Sequence, residues 1–352
     1  MNLPPRTNNS PQERFIFISH VRVISMILII AFHSLCYYTG IWWFLNVKAI
    51  PIWEVTSYPI VKIGLASFVC ISGFLFGHLF IAKEKYRQPY DFFVKKTYRL
   101  ITPYISGSII LIIMPDIHIS WENMFTGTAH LWFLLVLFEL FIFFYPLAYY
   151  NIITRTECKN AVICDICAFL ISFFPVYAWK AATCHHHLFC IETTLCYIPV
   201  FLSGFYVAKY QIYNRISLKT AIIVFILTLI GLLTISFYRI TTYIYIYRIP
   251  TILAAICLLV VFSKRKKYPL FLNNLVSSLD KHSMDIYFFN QIIIFSMLIP
   301  SSFRAYFDLH PYIGPLLLFI TSLLIPWALS WAFQKTKYLS WITGNISFTA
   351  KN

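Results

Sequence analysis

Long apolar runs, each close to the length that crosses a lipid core, recur along almost the whole of this chain. A hydrocarbon core of about 30 Å takes roughly 20 apolar residues in helical form. Inside it every backbone N–H and C=O must be satisfied within the segment, which favours helices. The pattern predicts an all-α, polytopic transmembrane bundle of about ten spans, over 20–43, 58–82, 97–114, 129–150, 161–179, 194–209, 217–237, 246–263, 283–299 and 312–334. Composition agrees: 59% of the 352 residues are hydrophobic and 12% are charged, about half the charge of a soluble domain. No small-residue cleavage site follows the first apolar run, so the first helix is expected to stay.

The net charge of +15 would suggest nucleic acid in a soluble protein. Here the positive-inside rule accounts for it, and no nucleic-acid partner is expected. With the N-terminus inside, 22 of the 28 Lys and Arg fall on the cytoplasmic side. Lys48, Lys62, Lys180, Arg239, Arg248 and Arg304 fall in the spans or outside. Both termini are expected in the cytoplasm, with the basic surface against anionic lipid. Residues 1–14 read as a disordered lead-in, 15–335 as one transmembrane domain and 336–352 as a cytoplasmic tail. No residue pattern speaks to oligomeric state.

Two ionisable side chains stand in the apolar run Val21–His33 of the first span. Arg22 and His33 stand eleven residues apart, which at about 100° per residue brings them within about 20° on one helix face. A rise of 1.5 Å per residue separates them by about 16 Å along the axis. Ionisable groups inside a span are costly and usually functional. A guanidinium at the membrane edge above a buried imidazole suggests an anion-binding entrance leading to an acid/base group.

Nine cysteines are scattered through the chain. Cys36, Cys70, Cys164, Cys167 and Cys257 are expected to pack as small apolar residues. Cys164 and Cys167 have CxxC spacing but no second pair, so no metal site is expected there. The run Cys184-His185-His186-His187-Leu188-Phe189-Cys190 reads first as a solvated outer loop. A Cys184–Cys190 disulfide comes second and a metal site third, because adjacent histidines rarely serve one ion.

Five other places carry both a bland and a functional reading. Ser72 and Gly73 suit close helix packing, or the Ser72 hydroxyl lines a cavity. Lys96 and Arg99 anchor the third span, or grip phosphates from the i and i+3 positions. His130 and Trp132 are ordinary interface residues, or they bind a sugar. Glu139, deep in its span, orients His33 or pairs with Arg239 or Arg248, and the sequence does not select among these. Asp285 reads as a surface residue at a helix start, favoured by the dipole, while Tyr287 and Asn290 share a face that could meet a cavity.

Taken in order, these motifs resemble the acyltransferase-3 family of integral membrane O-acyltransferases. The carrying residues are Arg22-x10-His33, Ser72-Gly73-Phe74, Lys96-x-x-Arg99-Leu100-x-x-Pro103, His130-Leu131-Trp132-Phe133-Leu134 and His282-Ser283-x-x-Ile286-Tyr287. Together they cover nearly the whole chain. The HLWF element and the late segment are similar to the branch of the enterobacterial common antigen O-acetyltransferase. One departure stands out: the family often has histidine three residues after the late tyrosine, and this chain has Asn290, which cannot exchange protons near neutral pH.

The resemblance implies a multi-pass protein of the bacterial inner membrane, with acetyl-CoA as donor and an envelope glycan or glycolipid hydroxyl as acceptor. Arg22, Lys96 and Arg99 would then hold the polyanionic donor, and His33 would be the general base. Ser72, Tyr287 or Asn290 would donate to the developing oxyanion. His130, Trp132 and Glu139 are the candidates for the acceptor side. A relay through acylated His33 or Ser72 stays open beside direct attack. A glycan transporter or flippase is the competing reading, weakened by the lack of an inverted repeat. An inert scaffold is disfavoured by the charges in the spans.

Overall fold

A computed structural model describes residues 16–42, 49–82, 86, 88–114, 117, 119–155, 160–183, 189–240, 244–265 and 268–344. Among them there is no strand. The helices are α1 (Ile16–Cys36), α2 (Pro51–Ile81), α3 (Pro89–Lys96), α4 (Thr102–Ile113), α5 (Asn123–Thr126) and α6 (Trp132–Tyr149). They continue as α7 (Ala161–Ile171), α8 (Pro175–Thr183), α9 (Ile191–Lys209), α10 (Ile212–Arg215) and α11 (Leu218–Phe237). The last five are α12 (Ile244–Lys264), α13 (Leu270–Leu298), α14 (Ser301–Leu309), α15 (Gly314–Lys335) and α16 (Lys337–Ile342). A π-helical stretch, Thr97–Ile101, joins α3 to α4 without a break. The run Cys184–His187 lies outside the described residues, while Cys190 is described as a buried free thiol.

Local chemistry sets several of these ends. Proline opens α2 and α3 in the first turn, where its missing N–H is no loss. Ser217 caps α11 by accepting from the Thr220 N–H at 3.1 Å. Gly40, at φ 70°, closes the turn that follows α1.

Among the described residues, eight helices are long and apolar enough to cross a membrane, or nine if the bent pair α13 and α14 is one span. About ten were expected. The segment over 97–114 is not among them, because Lys96, Arg99 and the polar side chains around them keep the continuous run from α3 through α4 too polar. It still joins the two ends of the bundle. Arg99 lies within electrostatic range of Arg22 at one end, while a Cβ on Gly107 would meet Leu131 and Phe288 at the other.

The tightest crossing is between α2 and α9. A Cβ on Gly73 would lie 2.0 Å from the Phe201 carbonyl oxygen, and one on Gly204 would lie 1.9 Å from that of Cys70. Backbones can approach this closely only where both faces carry glycine, the usual device where lipid removes any hydrophobic drive between helices. Gly73 thus has the packing role expected of the Ser72-Gly73 pair.

Helix α1 sits between α2, α13, α12 and α15. It runs in the same direction as α13, fastened at two levels: Arg22 to Asp280, and His33 to Asn290. At the His33 end, α13 stops and α14 leaves at 92°. Tyr37 donates to Asp308 Oδ1 at 2.6 Å, and Tyr38 donates to the Phe307 carbonyl at 3.2 Å, so α14 is bound to the end of α1.

Three local expectations are corrected. Helix α13 begins at Leu270, well before 283, because its first turns are too polar to register as apolar sequence. Asp285 is therefore mid-helix and fully buried, where it accepts from Ser330 and from Gln334 at 3.1 Å. Cys164 and Cys167 are exposed on α7, unlike buried Cys36, Cys70 and Cys257. Their neighbour Asp165 turns inward instead and accepts from Lys209 and Tyr210, each at 2.5 Å.

Candidate active site

A cavity of about 690 Å³ lies at the His33 end of the bundle. The ends of α1 and α8 and the starts of α9 and α12 supply much of its wall, with Val61, Lys62 and Leu65 of α2 and Gln291 of α13. His33 and His130 face both this cavity and a smaller one of about 50 Å³ beside it, which Tyr287 also lines.

His33 is held in one orientation. Its Nδ1 is 2.6 Å from Asn290 Oδ1, and both side chains are buried. The amide cannot be turned round, because Asn290 Nδ2 donates to the Tyr287 carbonyl. Oδ1 must therefore accept, and His33 Nδ1 must carry the proton. Nε2 is left with the lone pair and no protein partner among the described residues. This is the tautomer a general base needs.

The residue that bears the second imidazole is held at three points, one on the ring and two on the backbone. His130 Nε2 donates to the Phe288 carbonyl at 3.2 Å, and its backbone N–H donates to Gln291 Oε1 at 3.0 Å. Its own carbonyl accepts from the Tyr287 hydroxyl. The His33 and His130 rings meet edge to face, 5.7 Å between centroids. His130 Nδ1 is buried and has no hydrogen-bond partner among the described residues. Because Gln291 Oε1 is engaged by His130, the Gln291 amide NH₂ is the half left to the cavity. Trp132 lines the same space.

The remaining anticipated residues fall in other surroundings. Ser72 donates to the Phe68 carbonyl of its own helix at 2.9 Å and does not line the cavity. The Tyr287 hydroxyl and the Asn290 amide nitrogen each donate to a backbone carbonyl. Glu139 reaches neither His33, Arg239 nor Arg248: it accepts from the Cys190 N–H at 3.2 Å and the Thr194 hydroxyl at 2.5 Å. Arg239 instead pairs with Glu54 at 2.9 Å on the surface.

At the other end of α1, Arg22 Nη1 is 2.7 Å from Asp280 Oδ1, and Ser19 donates to Oδ2 at 2.7 Å. Arg99 is exposed and close enough to feel the charges of both Arg22 and Asp280. The Lys96 ammonium rests 3.6 Å from the centre of the Phe141 ring. The structure thus gathers Arg22 and Arg99 at one end and His33, Asn290, His130, Tyr287 and Trp132 at the other.

Sequence reasoning missed Gln291, Lys62 and Arg248 as cavity residues. Gln291 follows Asn290 directly but belongs to no motif. Lys62 and Arg248 were visible as cations on the side that should carry few, and that oddity was the available signal.

Comparison with known proteins identifies one family over most of the chain. The acyltransferase-3 family model, described as an acyltransferase domain, matches residues 15–331. No curated protein and no solved structure matches. The matched region takes in every helix from α1 through most of α15, with both polar fastenings of α1 to α13 inside it, and the chain belongs to the acyltransferase-3 family of membrane acyltransferases.

Proposed function

We propose that this membrane acyltransferase moves an acetyl group from cytosolic acetyl-CoA to a hydroxyl of an envelope polysaccharide or glycolipid, with His33 as general base. One observation carries the reading: His33 Nδ1 is tied to Asn290, which leaves Nε2 as a free base on a 690 Å³ cavity. The family membership supports the reaction class.

In this reading the Lys- and Arg-rich end faces the cytoplasm of the inner membrane. The donor's phosphates meet Arg22 and Arg99, with Lys96 nearby. The thioester reaches toward His33, about 16 Å along α1. The acceptor enters the cavity from the outer end. Its hydroxyl gives its proton to His33 Nε2 as its oxygen attacks the thioester carbonyl. Gln291 NH₂ is the best-placed donor for the oxyanion, since it lines the cavity while Ser72, Tyr287 and Asn290 each already donate to a backbone carbonyl. Collapse breaks the C–S bond, and the CoA thiolate takes the proton back from the imidazolium. No covalent enzyme intermediate is required.

The test uses the purified full chain in lipid, acetyl-CoA and mixed envelope glycans. Wild type transfers acetyl, and His33→Ala, which still inserts, does not. Equal transfer by both proteins would remove His33 as the base. Glycan movement across vesicles without change in acetyl content would replace the reading by transport.

A further inference from the structure

The cavity contains more positive charge than the reaction accounts for. Its wall carries Lys62, Lys180 and Arg248 against the single carboxylate of Glu192. Lys180 and Glu192 pair with each other at 3.0 Å. Lys62 and Arg248 have no carboxylate partner among the described residues. Arg248 is only 4% exposed, and among the described residues its Nε has no hydrogen-bond partner.

Their immediate surroundings are aromatic. The Arg248 guanidinium lies 4.5 Å from the Tyr197 ring centre and 5.2 Å from that of Tyr247. The Lys62 ammonium lies 4.2 Å from the same Tyr247 ring. Ring faces soften the burial of a cation but do not neutralise it. Two uncompensated cations facing one buried space are expensive, and such groups in a membrane protein mark a ligand path. They also stand at the His33 end, far from Arg22 and Arg99, so the donor's phosphates are not what they await.

We infer that Lys62 and Arg248 form an oxyanion site for the acceptor, which is an acidic saccharide bearing a carboxylate or a phosphate. A guanidinium offers the paired N–H fork that fits either group, and an ammonium adds a point charge. Trp42, Trp132, Tyr197 and Tyr247 give the cavity aromatic faces for sugar rings. The inference deepens the acyltransferase reading and rests on it only in calling the occupant the acceptor. The charge on that occupant is argued from the cavity alone.

The experiment measures binding, so it does not depend on turnover. The full chain, in nanodiscs of uncharged phosphatidylcholine, is titrated with glucuronic acid, glucose 6-phosphate and glucose, and separately with acetyl-CoA. At least one of the two acids is expected to bind ten-fold or more tightly than glucose, and whichever does so identifies the oxyanion. The Lys62→Gln/Arg248→Gln double variant is expected to lose that preference to within three-fold while keeping its affinity for acetyl-CoA. Lys62→Arg, which retains the charge and controls for folding, keeps the preference. The inference is overturned if wild type binds glucose as well as either acid. It is equally overturned if the double variant keeps the preference, or loses acetyl-CoA instead. Acid-selective binding by a protein that transfers no acetyl would leave the site standing and remove the acetyl-transfer reading.

Discussion

Asn290→Leu removes the one group that fixes His33 while nearly preserving side-chain volume. The bond it deletes is 2.6 Å long and buried at both ends. Without Oδ1, the His33 Nδ1–H is left buried and unpaired, a loss of about 1–3 kcal/mol. The imidazole can avoid that loss by moving its proton to Nε2 or by turning, and either escape withdraws the base from the cavity. If the whole loss reaches the transition state, about 1.4 kcal/mol per decade gives a fall in kcat of roughly five- to 150-fold. The KM for acetyl-CoA should hold, because Arg22 and Arg99 lie at the far end of α1. Asn290→Asp is the partner experiment. It keeps an acceptor for His33 but gives up the donor to the Tyr287 carbonyl, so its kcat should lie between those of wild type and Asn290→Leu. The assay is acetyl-CoA turnover by the purified chain with envelope glycans. Wild-type kcat in Asn290→Leu, or equal losses in both variants, would refute the orienting role.

Three more outcomes are expected. Gly73→Ala and Gly204→Ala each drive a methyl into a facing carbonyl oxygen and should destabilise the bundle by at least the ~1–3 kcal/mol of ordinary overpacking. Gly231→Ala, with nothing within 4 Å of the new methyl, should be neutral or slightly stabilising, and melting temperatures in detergent compare the three. Arg22→Gln should raise the KM for acetyl-CoA by about ten-fold or more with a smaller change in kcat, as expected for a charge-assisted phosphate contact of ~1.5–3 kcal/mol; an unchanged KM would detach Arg22 from the donor. Glu54→Gln breaks only the exposed pair with Arg239 and should change stability by less than about 1 kcal/mol, read from the same melts.

The helical class and the shared face of Arg22 and His33 were legible because both are periodic along the chain. What periodicity does not carry is which distant residue meets which. Asn290 looked like a loss because it cannot exchange a proton. Its role depends on His33, 257 positions away, needing an acceptor at Nδ1. Lys62 and Arg248 were hidden for a related reason: a single cation barely lowers the hydropathy of a 20-residue window, and nothing local says that two such cations share one cavity. Asp285 was misread because the polar first turns of α13 look like a loop to any apolar count. Their hydrophobic stripe, Val276 and Leu279, is narrow and packs beside Val23 and Met26 of α1.

Helix α14 has a mechanical consequence for the site. Lying across the end of α13, with Phe303, Tyr306 and Leu309 exposed, it has the form of a float at a lipid–water boundary. Through Tyr37 and Tyr38 it grips the end of α1, which bears His33, and by direct connection it holds the end of α13, which bears Asn290. When the bilayer thins or thickens, spans answer by tilting or shifting, and two neighbours can slide past each other. Because both helices are fastened to α14, they should move together. Changes in lipid thickness should therefore alter the depth of the base beneath the surface without breaking the bond that aims it.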